Sequence, residues 1–353
     1  MLGWKFGARD AAGPGAERPE SEARGGRGSP ENVPVRVSLL GGCHADEPVG
    51  PRFLRHLVAW LSHRSQKALC RNEGPLDNVE WWIVPHANPD GEVRNRSWQE
   101  HGAPEYDVAA YLEGAVREAP GDDIEFGFPH GPEDHGARPE NQAIYRWWSE
   151  AAGPFALHAS LHGMGFAAGP WFLLEPAWLE PGSPKRAEPL IERMAARVGE
   201  AGYLLHDVDR GGEKGFTRVR RGFCTRPDSD AMKRYFLQSG DEETASRFRP
   251  SSMETVRRLA GERASPPGPL TLVSENPLFL TPGVGDDLGP PDPAAERWKD
   301  RIAGWRNALA QGHHPEAVRR EAGEAGLRPM PTLDQMRLQW GLIVAGLELV
   351  TPD

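Results

Sequence analysis

Short apolar runs alternate with amphipathic stretches along most of this chain, from Val33 onward. Four of the runs have the composition of buried strands: "VPVRVSLLGG", "NVEWWIVP", "FALHASLH" and "PLTLVSENPLFL". The stretches between them have the apolar spacing of helices, most clearly "PVGPRFLRHLVAWLSHR", "RPENQAIYRWWSEA" and "PKRAEPLIERMAARVGEAG". This alternation predicts an α/β domain with a largely parallel central sheet.

The two ends of the chain have a different composition. Residues 8–32 are rich in Gly, Pro, Glu and Arg and nearly lack large apolar side chains, which predicts a disordered or loosely attached tail over residues 1–32. After the linker "TPGVGDDLGPPDP", the sequence again has the apolar spacing of helices. We therefore expect one domain over residues 33–285 and a helical C-terminal extension, residues 286–353, packed on it.

Acidic and imidazole side chains are crowded directly after the first predicted strand, in "GGCHADE". In open α/β sheets, ligands bind beyond the carboxyl ends of the strands. His44 and Glu47 can both face one point where the strand turns into a helix, and they offer the nitrogen and oxygen donors that zinc prefers. Many long chains contain such a pair by chance, but Gly41 and Gly42 allow a close approach of the backbone here.

A third metal ligand is expected at the end of another strand. The stretch "FALHASLHGMG" offers His158 and His162. His162 is the better ligand because it closes the apolar run, whereas His158 lies inside the strand, where a hydrogen-bonded core histidine is the expected state. Two His and one Glu leave an open coordination position, which is the arrangement of catalytic zinc.

A general base is also needed, and Glu275 in "LTLVSENPLF" is the candidate. It stands at the end of an aliphatic run, where an unused carboxylate is costly. The alternative is an ordinary strand-end Glu that caps the following turn.

These signals together resemble the zinc carboxypeptidase (carboxypeptidase A-like) family. They occur in the family's order between Val33 and Leu280, and they comprise His44-x-x-Glu47, the turn Asn88-Pro89-Asp90-Gly91, His162 in "SLHG" and Glu275 on a late strand. The resemblance implies an α/β/α sandwich with a mixed, mostly parallel, twisted sheet of eight strands, followed here by C-terminal helices.

The resemblance also implies roles for individual residues. Zinc would be bound by His44, Glu47 and His162, while Glu275 would activate a water molecule and pass its proton to the leaving amine. An Arg shortly after the 88–91 turn would polarise the scissile carbonyl. The stretch "NPDGEVRNRSW" offers Arg94 and Arg96, of which Arg96 fits slightly better; either could instead be a solvated loop residue.

The chain departs from the family where peptide-cleaving members carry Asp-Leu-Asn-Arg-x-Phe-Pro, whose Asn-Arg pair binds the substrate's terminal carboxylate. The matching stretch is "DIEFGFP", which places Glu125 and Phe126 at those two positions. Phe offers no charge to a carboxylate and Glu repels it. We therefore expect Glu125 and Phe126 to contact a substrate that lacks a free carboxylate there.

Composition and charge exclude several classes of protein. The 353 residues carry a formal net charge of −10, which disfavours nucleic acid as a partner. Three Cys are too few for a disulfide-built secreted domain. We find neither a signal peptide in the first residues nor an apolar run long enough to span a membrane. We expect a cytoplasmic protein without a membrane partner.

The sequence therefore predicts a zinc-dependent hydrolase that cleaves an amide or peptide bond in a small or modified peptide, or in an N-acyl amine. One alternative is a true carboxypeptidase whose carboxylate-binding site has moved, for example to the Arg-rich "FTRVRRGFCTR". Another is a non-catalytic module that binds zinc. The sequence leaves the oligomeric state and the metal used in vivo open.

Overall fold

The computed structural model describes residues 3–6, 34–67, 78–100, 104–179, 186–286 and 292–351. The strands are β1 (Trp4–Phe6), β2 (Val35–Gly41), β3 (Val79–Val84), β4 (Leu157–Ala167), β5 (Trp171–Leu174), β6 (Arg218–Arg220), β7 (Phe223–Thr225), β8 (Leu270–Leu280) and β9 (Arg328–Pro329). The helices are α1 (Val49–Lys67), α2 (Pro89–Gln99), α3 (Val108–Gly114), α4 (Pro139–Ser149), α5 (Glu188–Glu200), α6 (Ser229–Gln238), α7 (Glu242–Arg247), α8 (Ser252–Ala260), α9 (Pro293–Ala310), α10 (Pro315–Glu324) and α11 (Thr332–Val350). None of these helices combines the length and apolarity that a membrane crossing requires.

The strands form one mixed sheet in the order β1-β3-β2-β4-β8-β5-β7-β6, with β9 pairing to β8. The four central strands, β3, β2, β4 and β8, run parallel to one another. Strand β1 pairs antiparallel with β3, and both β5 and β9 pair antiparallel with β8, while β7 is parallel to β5 and β6 is antiparallel to β7. The predicted α/β fold with a mixed sheet is therefore confirmed. Within the described residues there are nine strands rather than the eight implied by the resemblance, because the short β9 adds to β8.

Helices cover both faces of this sheet, as in an α/β/α sandwich. Alternate residues of a strand point to opposite faces, so Val37 and Leu39 of β2 join one apolar cluster and Leu40 joins another. The first cluster contains residues of α1, α5 and α11, and the second contains residues of α4 and α8. Burial on both faces explains why these strands have continuous apolar runs.

The C-terminal helices differ in how they contribute to the core. Helix α11 buries Leu338, Leu342 and Ile343 in the same cluster as the central strands, so it forms part of the main core. Helices α9 and α10 instead pack with α3 in a separate cluster that includes Trp298 and Trp305. The predicted boundary at residues 285 and 286 adjoins residues 287–291, which lie outside the described residues, and it stays a prediction.

Two local predictions change in the structure. The tail predicted for residues 1–32 falls mostly outside the described residues, but Trp4–Phe6 within it form an edge strand paired with β3. The turn predicted at residues 88–91 is the start of α2. Asn88 caps the helix by accepting a hydrogen bond from the Gly91 amide at 2.9 Å, and Pro89 occupies the first turn.

We expect Leu342→Ala to lower the free energy of unfolding by about 2–5 kcal/mol, because it removes a fully buried side chain from the main core. The matched control is Leu333→Ala on the same helix, since Leu333 is 55% exposed. Urea unfolding of both variants measures the difference. Equal, small effects would contradict the placement of α11 in the core.

Candidate metal centre and active-site cleft

The pairing of β2, β4 and β8 brings four of the predicted site residues to one edge of the sheet. His44 and Glu47 lie in the loop between β2 and α1, and Gly41 at the end of β2 pairs with Leu161, next to His162. Glu275 on β8 pairs with His162 on β4, so the two side chains project to the same face. The parallel register therefore places the three metal donors, which follow β2 or lie on β4, beside Glu275 on β8.

The donor atoms of His44, Glu47 and His162 face one another at short range. Nδ1 of His44 lies 2.8 Å from Glu47 Oε1, Nδ1 of His162 lies 3.0 Å from Glu47 Oε2, and the two Nδ1 atoms are 3.2 Å apart. Ligand atoms of a tetrahedral zinc site lie about 3.3 Å apart when each bond is about 2.0 Å long. The spacing, the residue types and the small solvent exposure of the three residues all fit a zinc ion.

Charges around Glu47 hold it in the ionised form that a metal ligand needs. Burial alone would raise the pKa of Glu47, but His44, Arg117 and His162 together lower it well below its usual value. The Gly163 amide also donates to Glu47 Oε2 at 3.2 Å. In return, and despite burial, Glu47 raises the pKa of His162 well above its ordinary value. A metal ion at this point would compete with that proton.

Glu275 has the opposite electrostatic character. Burial, and then the charge of Glu47, raise the pKa of its carboxyl to about 8. Two neighbouring carboxyl groups thus have pKa values pushed apart, a pattern typical of sites in which one is a ligand and the other moves protons. A cation bound beside Glu275 would favour its ionised form, as His162 and Arg117 already do.

These side chains line a cleft with a volume of about 360 Å³. Its walls include aromatic and apolar residues, among them Phe126, Trp171, Phe216 and Phe248. Arg117, Arg210 and Lys214 bring positive charge to it. A concave site with apolar walls and a few convergent polar groups suits a small organic substrate.

The prediction that Arg94 or Arg96 reaches the reacting carbonyl is wrong. Both lie exposed on α2, where Arg96 approaches Glu100 at 3.5 Å, and neither lines the cleft. The arginine in contact with the metal donors is Arg117, which donates to Glu47 Oε1 at 2.9 Å and, beside it, to Asp46 Oδ1 at 3.2 Å. Helix α3 ends at Gly114, so Arg117 lies in the loop that leads into "DIEFGFP", and that position next to the stretch was the signal available in the sequence.

Glu125 lines the cleft, so its predicted contact with substrate stays a prediction, but its carboxylate is engaged by other side chains of the protein. Glu125 is 4% exposed, and both of its oxygens accept hydrogen bonds inside the protein. Although burial opposes it, the hydrogen bond from His162 lowers the pKa of this carboxyl. Phe126 packs edge-to-face on Phe248 and lines the cleft, so its predicted contact with substrate stays a prediction.

The comparison with protein families supports the same site. Residues 24–171 match a family model described as zinc carboxypeptidase, which confirms the resemblance over that part of the chain. The match includes His44, Glu47 and His162, whereas Glu275 lies beyond it. It supports a zinc-dependent peptidase, and the donor cluster fits that metal. No curated protein matches the chain.

Three solved structures illustrate what the chain is similar to. A protein of Shewanella amazonensis, provisionally described as a metallopeptidase, shares 14% identity over 93% of this chain and 81% of its own, with a TM-score of 0.43. Carboxypeptidase A of Helicoverpa armigera shares 14% identity over 91% and 62%, with a TM-score of 0.41. The tripeptide-bound cell shape determinant Csd4 of Helicobacter pylori shares 12% identity over 88% and 57%, with a TM-score of 0.35. We assign none of their activities to this chain on that ground.

We expect purified protein to bind one zinc ion per chain and His162→Ala to lose it, because the variant removes one of the three clustered donors. Metal analysis after dialysis measures the content. His56→Ala is the control, since His56 is exposed on α1 away from the cleft. Full zinc retention in His162→Ala would falsify the assignment.

Proposed function

We propose that this protein is a zinc-dependent hydrolase that cleaves an amide or peptide bond, with Glu275 as its general base. The observation that carries the proposal is the position of Glu275, which lies opposite His162 in the register of β4 and β8 and lines the same cleft as the three metal donors. A module that only binds zinc has no use for a carboxyl group placed there, which disfavours that alternative.

His44, Glu47 and His162 would hold the metal. A zinc ion so bound lowers the pKa of water and polarises a carbonyl group. Glu275 accepts a proton from the attacking water and gives it to the leaving nitrogen, which must be protonated to depart as an amine. Arg117, beside Glu47, is the cation suited to stabilise the negative charge that develops on the carbonyl oxygen.

The substrate is proposed to be a small or modified peptide, or an N-acyl amine. By the resemblance, Phe126 stands where family members carry the carboxylate-binding Arg, and its ring is packed against Phe248. An apolar ring at that position favours an uncharged group on the substrate over a carboxylate. Because the carboxylate of Glu125 is engaged within the protein, the proposed substrate needs no cation opposite it.

A second candidate is a true carboxypeptidase whose carboxylate-binding cation is Arg210. Arg210 lines the cleft and lowers the pKa of Glu275, which indicates that it lies near the reacting centre. Within the described part of the chain, its guanidinium contacts the ring of Phe216 and forms no ion pair. Arg218 and Arg226, by contrast, are paired with Asp207 and Glu175.

We expect Glu275→Gln to retain zinc and the fold while losing at least about 10²-fold in hydrolytic rate, because an amide cannot accept the proton. The measurement is turnover of an N-acyl amino acid amide, with metal content and circular dichroism as checks on the fold. Glu118→Gln is the control, since Glu118 also lines the cleft. Unchanged turnover in Glu275→Gln would mean that Glu275 is structural.

We expect the wild-type protein to hydrolyse a C-terminally amidated peptide at least as fast as the matching free acid, because Phe126 replaces the carboxylate-binding Arg. The measurement is kcat/KM for the two peptides, in the wild type and in Arg210→Gln. Arg221→Gln is the control, since Arg221 is exposed outside the cleft. A wide preference for the free acid that disappears in Arg210→Gln alone would favour the second candidate.

A further inference from the structure

Glu125 lies directly behind His162, on the side of the ring that faces away from the metal donors. Its Oε2 is 3.0 Å from His162 Nε2, while His162 Nδ1 faces His44 and Glu47. The two residues are 4% exposed each, so water does not screen the contact. We propose that Glu125 is a positioning residue that makes Nδ1 of His162 the metal-binding atom; this rests on the proposed metal site.

The direction of this hydrogen bond follows from chemistry. An ionised carboxylate has no hydrogen to give, so the hydrogen between Glu125 Oε2 and His162 must sit on Nε2. The proton that a metal ion can replace is then the one on Nδ1, which points into the donor cluster. Ser160 Oγ lies beside both groups, 2.8 Å from His162 Nε2 and 3.3 Å from Glu125 Oε2. It can accept from His162 Nε2 and donate to Glu125 Oε2, which also leaves the ring hydrogen on Nε2.

A second set of buried groups holds the carboxylate in place. Ser252 Oγ donates to Glu125 Oε1 at 3.2 Å and has no other hydrogen, so it accepts from His158 Nε2, also at 3.2 Å. His158 Nδ1 is then free to accept from Ser38 Oγ at 3.1 Å. Burial lowers the pKa of His158 to about 4, which agrees with a neutral ring. The hydrogen bonds of this network therefore run in one direction, from Ser38 through His158 and Ser252 to Glu125.

An amide at position 125 would lose this selectivity. The NH₂ group of Gln can donate to His162 Nε2, which would leave the ring hydrogen on Nδ1 and block metal binding there. Gln has nearly the same shape as Glu, so the variant Glu125→Gln tests the charge and the hydrogen-bond direction rather than the packing. His158, the buried histidine that binds no metal in the proposed site, belongs to the hydrogen-bond network that holds Glu125 in place.

The test is the zinc dissociation constant, measured by competition with a chelator in the full chain. We expect Glu125→Gln to remain folded and to bind zinc roughly 10–100-fold more weakly than the wild type. The visible spectrum of the cobalt-substituted protein should also change, because the orientation and basicity of a ligand change. Glu175→Gln is the matched control, since Glu175 is another buried, hydrogen-bonded carboxylate, paired with Arg226 away from the cleft. It should lower stability and leave both metal readouts unchanged.

The outcomes separate this inference from the proposed function. Wild-type zinc affinity in Glu125→Gln would overturn the positioning role and leave the hydrolase intact. If Glu125→Gln does not fold, Ser252→Ala replaces it, because it frees Glu125 Oε1; weaker zinc binding supports the inference and unchanged binding overturns it. Two zinc ions per wild-type chain would overturn it too, since Cys43, Glu125 and His162 would then be a ligand set themselves. No zinc in the wild type would overturn the proposed function and this inference together.

Discussion

The parallel register of β2, β4 and β8 is the constraint on which the site depends. Strands that run the same way end at the same edge, so residues from distant parts of the sequence meet there. His162 and Glu275 are direct neighbours across β4 and β8, and the loop after Gly41 brings His44 and Glu47 beside them. Helix α1 packs closely on β4 next to the site. A Cβ atom at Gly50, at the start of α1, would lie 2.3 Å from the Leu161 carbonyl oxygen, so only glycine fits there.

Charge is the second constraint. The cleft collects Glu47, Asp123, Glu125 and Glu275 within a mostly apolar environment, and buried carboxylates need cations or donors. Arg117 supplies one cation, bound to both Asp46 and Glu47. Arg210 and Lys214 also line the cleft, and a divalent ion among the donors would add further positive charge. The metal is therefore consistent with the charge balance of the fold, and not only with the residue types.

The sequence was most informative where function follows from the ends of strands. His44, Glu47, His162 and Glu275 each close or follow an apolar run, and this pattern is visible without a structure. Arg117 and the partners of Glu125 could not be found that way, because their contacts join segments between 35 and 127 positions apart in the sequence. Similarly, the apolar stripe of α11 predicts a buried face, but only the packing of that face on β4 and β8 makes the helix part of the main core.

Glu125 and Phe126 stand at the two positions that the resemblance assigns to an Asn-Arg pair, and they contact different parts of the site. An Asn-Arg pair there would face a substrate carboxylate, whereas Phe126 contributes an apolar wall and Glu125 turns toward Nε2 of His162. A buried carboxylate needs donors, and Ser160, Ser252 and His162 supply them at that location. In the proposed function, substrate preference would depend on Phe126 and metal coordination on Glu125, so two adjacent positions would act on both.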